Sequence, residues 1–131
     1  MYRTTTSSKH IVRTVLVLAL TAAFLVALAS PAMAYSARHR RVIAIIKSVA
    51  AEKHLSRRQV RALLKICNRE SGFNPRARNH SCKGLFQLKT HFGYAKWSNA
   101  RWNTAKAIRY IKHRYGTCRR ALAHSYAYGW Y

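Results

Sequence analysis

The sequence predicts a small, mainly α-helical domain in which an irregular stretch separates the second helix from the third. Three observations carry that prediction. From Val42 onward apolar residues recur at three- and four-residue intervals, the spacing that lines one face of a helix. No segment sustains the period-two alternation of a half-buried strand. Between Ser71 and Trp102 the helical pattern stops, and Gly72, Pro75, Gly84 and Gly93 punctuate the chain.

The elements follow in order. Val42, Ile45, Ile46 and Val49 form the stripe of the first helix, preceded by a basic, frayed start over residues 35–41. A break is expected near His54. Ser56-Arg57-Arg58-Gln59 then has the form of a capping box, in which the Ser and Gln side chains satisfy free amides at a helix start. Val60, Leu63, Leu64 and Cys67 stripe the second helix. Helical pattern resumes near Asn103, with Ile108, Ile111 and Tyr115 inward and Gly116 as the stop. Thr117 can cap a last helix carrying Cys118, Ala121, Leu122 and Ser125 on one face. There is no internal repeat and no low-complexity tract.

The N-terminus has a different character. Arg3, Lys9 and Arg13 precede an apolar run of 15 residues, Val15 to Ala29, followed by Ser30, Pro31 and Ala32-Met33-Ala34. A basic leader, a short hydrophobic stretch and a small-x-small end make a secretory signal peptide over 1–34, cleaved after Ala34. The alternative is an uncleaved anchor, but a spanning helix needs about 20 apolar residues. One domain, 35–131, is expected to remain after cleavage, soluble and monomeric. Removing three cations from the chain's 25 leaves 22 against two acids, Glu52 and Glu70, a formal charge of +20. Such a balance attracts polyanions. For an exported protein these are anionic wall polymers, membrane headgroups and extracellular DNA.

Export also favours a disulfide in so small a domain. Cys67, Cys82 and Cys118 are three, so one thiol is left over, and spacing does not say which two pair. No Cys-x-x-Cys and no close His pair accompanies them. The histidines His39, His54, His80, His91, His113 and His124 are scattered, so neither a metal site nor a cofactor is expected.

Glu70 extends the stripe Val60, Leu63, Cys67 by three residues, which puts a carboxylate on an apolar face in the last turn of its helix. Desolvation and the negative helix end both raise its pKa, as a general acid requires. The competing reading is an ion pair with Arg69 or Arg76, which would lower the pKa. Position alone leaves both open.

The flanking residues speak for the first. Glu70-Ser71-Gly72-Phe73-Asn74-Pro75, then Ala77, then Gly84-Leu85-Phe86-Gln87 closely resembles the motif pair of the soluble lytic transglycosylase family, whose domain is goose-type-lysozyme-like. Asn103 with its Ala/Ile/Tyr helix looks like that family's third motif. Ile108-Arg109-Tyr110-Ile111 through Tyr115-Gly116, and the ending Gly129-Trp130-Tyr131, resemble short domains of Gram-positive bacteria and their phages. The resemblance covers the chain from about Val42 onward. It implies a secreted, wall-associated enzyme that cuts peptidoglycan glycan strands, with Glu70 at a helix end and Gly84-Leu85-Phe86-Gln87 lying across the cleft. In those roles Gly72 supplies a positive φ and Gly84 lets backbone approach a sugar. Phe86 offers an apolar platform, or packs in the core, and Gln87 offers an amide. Ser71 tethers backbone or orients Glu70; a nucleophile would need a His that no motif supplies.

The acid count selects the reaction. Glycosidases normally use two carboxylates, and Glu52 fits a solvated helix end better than a cleft. The route the resemblance implies needs one: Glu70 acts as acid and then base, the substrate's N-acetyl group stabilises the cationic centre, and a 1,6-anhydro-muramoyl product forms. Hydrolysis on the same fold is the alternative. The family's Ala-Tyr-Asn-Ala-Gly segment is here Ala123-His124-Ser125-Tyr126-Ala127-Tyr128-Gly129. Its Asn is missing, and Tyr110 and Tyr126 either bind substrate or pack between helices. After Gln87 the loop carries Lys89 and His91 and no proline, which implies a remodelled far edge. Two other classes compete: a non-catalytic cationic wall-binding module, and a nucleic-acid binder, the latter disfavoured because no recognised binding motif is present.

Overall fold

A computed structural model describes residues 31–89 and 96–131. Residues 1–30, most of the expected signal peptide over 1–34, and His91 and Gly93 lie outside the described residues. The chain divides into two compact units, and residues 37–131 form the second. Among the described residues there are four helices, α1 (Pro31–Glu52), α2 (Arg57–Ser71), α3 (Ala100–Tyr115) and α4 (Cys118–Tyr128). Three two-residue strands lie between α2 and α3: β1 (Arg78–Asn79), β2 (Cys82–Lys83) and β3 (Leu88–Lys89). The fold is mainly α, as expected. No described helix is long and apolar enough to cross a membrane.

The basic stretch 35–41 is helical rather than frayed. No Gly or Pro interrupts α1 after Pro31, and His39 Nε2–H donates to Gly72 O at 2.7 Å while its ring meets Phe73 edge-on at 5.4 Å. Helix α2 starts where Ser56 accepts from the Gln59 amide at 3.4 Å. Only that half of the capping box forms. The Gln59 side-chain oxygen instead accepts from the Cys118 amide at 3.2 Å, linking the starts of α2 and α4. Helix α3 begins three residues earlier than Asn103, because Asn99 is its cap and accepts from Trp102 N at 2.9 Å. Gly116 ends α3, and Thr117 caps α4 as expected by accepting from Arg120 N at 3.2 Å.

The strands form an antiparallel sheet in the order β1-β2-β3, pairing Asn79 with Cys82 and Lys83 with Leu88. Strands of two residues are too short to leave an alternating pattern in the sequence. The core joins Val42, Ile46 and Val49 of α1 to Leu63, Ile66 and Cys67 of α2 and to Ala107, Ile108 and Ile111 of α3. Leu85 and Phe86, from the loop before β3, are fully buried within it. Each large side chain so placed contributes about 1.5–3 kcal/mol. Helix α2 packs on α4, and α4 on α3, which fixes the end of α2 against the rest of the domain.

The cysteines are free thiols, Cys67 and Cys118 buried and Cys82 half-buried. No two of them stand at disulfide distance in this structure. Burial pushes the Cys67 thiol up to about 12 and the Cys118 thiol to about 11. Among the described residues no group of His, Cys, Asp or Glu is arranged to hold a metal.

Candidate active site

Helix α2 ends in the sequence that matters. Gly72 closes it at φ +56°, its amide bonded to Asn68 O at 2.9 Å, and Phe73 follows at φ +60°. Two successive left-handed residues turn the chain sharply and leave Glu70 in the last turn. Glu70 is half-buried in the wall of a cleft of about 750 Å³. Phe86, Gln87 and Leu88, Tyr110 and Arg114 of α3, and Gly129-Trp130-Tyr131 are among the residues that line it.

Burial raises the Glu70 carboxyl above its ordinary value, against the opposing charge of Arg69. That neighbour does not pair with it. Arg69 Nε donates to Ser125 Oγ at 3.1 Å, a second guanidinium nitrogen donates to Ser125 O at 3.1 Å, and the group lies 4.6 Å above the Tyr126 ring. Among the described residues the one ion pair is Arg101–Glu52. The arginine that could have quenched Glu70 is committed to α4, so the carboxyl keeps its proton to a higher pH.

Glu52 is exposed at the end of α1, bonded to Arg101 and to Ser48, and is absent from the cleft lining. Arg101 holds its pKa below the ordinary value. The cleft therefore has one side-chain carboxylate among its described lining residues. Burial raises the Tyr110 phenol, and burial followed by the Glu70 charge raises that of Tyr131 much further. Both phenols thus remain protonated donors near neutral pH.

The expected substrate-contacting residues divide into two groups. Phe86, Gln87 and Tyr110 line the cleft with Glu70. Ser71, Gly84, Leu85 and Tyr126 do not. Ser71 is a tether: its hydroxyl is 2.8 Å from Leu85 O and 3.2 Å from Cys67 O. Leu85 is core. Tyr126 is 59 % exposed under Arg69. Gly84, at φ +82°, has no room for a side chain, since a Cβ would meet Asn103 Nδ2 at 2.3 Å and Trp97 O at 2.6 Å. Its smallness serves the packing of the loop rather than the approach of a sugar.

Asn103 does the gripping. Its Oδ1 accepts from Phe86 N at 3.0 Å, and its Nδ2 donates to Trp97 O at 3.2 Å and Lys83 O at 3.4 Å. So the third motif holds the second in place. Gln87, at φ +44°, donates to Gly84 O at 2.9 Å, while its buried Oε1 has no partner among the described residues. A buried acceptor left open at a cleft wall calls for a donor from water or ligand.

Tyr131, Trp130 and Arg114 were not legible as site residues. Gly129 caps α4 in the left-handed region, and Tyr131 O–H then donates to Phe86 O at 2.6 Å. The available signal was a cap glycine followed by two aromatics. Replacing Ser71 with alanine tests the tether: a melting temperature lowered by the equivalent of about 1–2 kcal/mol, with most turnover retained, is expected. A nucleophile would instead lose turnover with little change in stability.

Comparison with family models, with curated proteins and with solved structures returns no match for this chain.

Proposed function

We propose that this chain is an exported peptidoglycan lytic transglycosylase on a goose-type-lysozyme-like domain, with Glu70 as its single acid and base. One observation carries the reading: a carboxyl whose pKa burial raises, in a cleft that contains no second side-chain carboxylate among its described lining residues. The motif resemblance around Glu70 supplies the substrate class. Anionic wall polymers and membrane surface are the partners that its charge favours, with no specific nucleic acid.

The chemistry balances without water. Glu70 donates its proton to the glycosidic oxygen as the bond from the muramoyl C1 breaks, releasing the N-acetylglucosaminyl alcohol. The 2-acetamido carbonyl oxygen shares the positive charge left at C1. The Glu70 carboxylate then takes the proton of the muramoyl C6 hydroxyl as O6 bonds to C1, which closes the 1,6-anhydro ring and restores the acid. The protonated Tyr110 phenol and the Gln87 side chain line the cleft beside Glu70 and suit a sugar bearing hydroxyls and an amide.

Mass spectrometry of fragments released from purified peptidoglycan tests this. Anhydro-muramoyl ends are expected; reducing ends would mean hydrolysis, and no release would remove the enzymatic reading. Glu52→Gln should leave turnover within about twofold, since its carboxylate lies outside the cleft and its exposed ion pair contributes little. A large loss would make Glu52 a second catalytic carboxylate and overturn the single-acid route.

A further inference from the structure

Among the described residues the large exposed hydrophobic side chains are Tyr126, Tyr128 and Trp130, at 59 %, 67 % and 50 % exposure. All three are aromatic, and they fall within five consecutive positions. Two join a continuous array of rings. Tyr131 and Tyr110 in the cleft meet at 6.0 Å, and Tyr110 meets Tyr115 at 6.3 Å. Tyr115 meets His124 at 5.1 Å, and His124 meets Tyr128 at 4.6 Å and Trp130 at 4.4 Å. The array begins at the cleft wall and ends on the surface of α4. Trp130 belongs to both, since it also lines the cleft.

The shelf is held in shape. His124 Nδ1–H donates to Trp130 O at 2.9 Å, and the Arg114 guanidinium lies 5.2 Å from the Trp130 ring and 5.6 Å from that of Tyr115. Exposed aromatic side chains that are fixed before binding lose little entropy when they bind. Their chemistry is selective. The patch offers flat ring faces edged with hydroxyl and N–H groups and no exposed large aliphatic side chain, whereas membrane-lying surfaces combine aromatics with leucine. A pyranose presents an apolar C–H face ringed by hydroxyls, and it matches such a surface.

We propose that Tyr128, Trp130 and the His124–Tyr115 pair beneath them form a saccharide-binding shelf that takes the glycan strand where it leaves the Glu70 cleft. The ligand is an N-acetylated polysaccharide, and continuity of the shelf with the cleft through Trp130 selects it. The inference rests on the proposed function for the identity of the glycan. The ring array itself does not depend on Glu70.

The test uses the full domain with Glu70→Gln, so that the ligand survives, and glycan strands stripped of peptides and anionic polymers. Co-sedimentation is measured at about 0.5 M salt, where charge attraction beyond a few ångströms is screened. Tyr128→Ala should lower retention about three- to tenfold, in the range of one aromatic contact, and Tyr128→Trp should restore it. Tyr128 is exposed beside the α4 cap, and an unchanged melting temperature would establish that the fold is intact. Retention equal to that of the parent overturns the shelf, as does a change confined to self-association in gel filtration. Glycan cleavage by the unsubstituted chain reports separately on the proposed function. Cleavage with no Tyr128 effect sinks the shelf alone. A Tyr128 effect without cleavage sinks the catalytic reading and leaves the shelf standing.

Discussion

Replacing Glu70 with glutamine is expected to lower glycan cleavage about a hundred- to ten-thousandfold, the range for removal of a general acid–base. Glutamine keeps the shape and hydrogen-bonding ends of the side chain but has no proton to give and takes none back. Because Glu70 serves both halves of the proposed reaction, no other side-chain carboxylate in the described cleft lining can take over either half. Turnover on purified peptidoglycan, with glycan binding as the control, checks this. Lysis that survives the substitution yet vanishes at high salt would identify a cationic module acting by charge.

The same substitution has a stability signature, and its sign follows from burial. The folded Glu70 carboxyl sits above its ordinary value of 4.5, so the native state holds this proton more tightly than the unfolded chain. Below 4.5 both states are protonated and the folded state suffers no penalty. As pH rises from there through the raised native value, the unfolded chain ionises first and stability falls. Glu70→Gln should remove that decline and melt at or above the parent temperature at neutral pH. Activity should fall as pH passes the raised value, because the acid form is lost. A melting temperature well below the parent would mean that Glu70 has an unrecognised structural partner.

Glu70 was legible because helical phase is local. Three residues beyond Cys67 on an apolar stripe is a position that backbone geometry alone assigns. The caps Ser56, Gly116 and Thr117 were legible for the same reason, since each acts within four residues of itself. What could not be read were the long-range partners. Arg69 reaches Ser125, 56 residues away, and Gln59 reaches Cys118 at a separation of 59. Both depend on how helices dock. Helical pattern was expected to resume near Asn103, whereas the helix starts at Ala100 and the Asn103 amide is spent on the backbone of Phe86, Lys83 and Trp97. Ser71, Gly84 and Leu85 were placed near substrate by motif, but they are not among the residues that line the cleft. They position the wall that Phe86 and Gln87 present.

That division makes Gly84 the sharpest test of how the cleft is built. Gly84→Ala should destabilise the domain by about 3–5 kcal/mol, whereas Gly72→Ala should cost about 1 kcal/mol. Both positions have positive φ, +82° and +56°, and the left-handed backbone costs a residue with a Cβ roughly 1–2 kcal/mol. The difference lies in space. A Cβ at Gly72 meets nothing within 4 Å, while at Gly84 it strikes Asn103 Nδ2 at 2.3 Å and the Trp97 carbonyl at 2.6 Å. Overpacking of that kind adds about 1–3 kcal/mol, and neither neighbour is free to yield. Asn103 is held by its bonds to Phe86, Lys83 and Trp97, and moving it gives up the Phe86 amide. In a domain of this size 1 kcal/mol shifts the melting temperature by about 4–8 °C. Gly84→Ala should therefore melt at least 12 °C lower, roughly, and lose cleavage in the fraction still folded as Phe86 and Gln87 shift. Equal melting shifts for the two variants would show that the Asn103 grip does not hold the loop, and with it the part of the cleft lining that Phe86 and Gln87 supply.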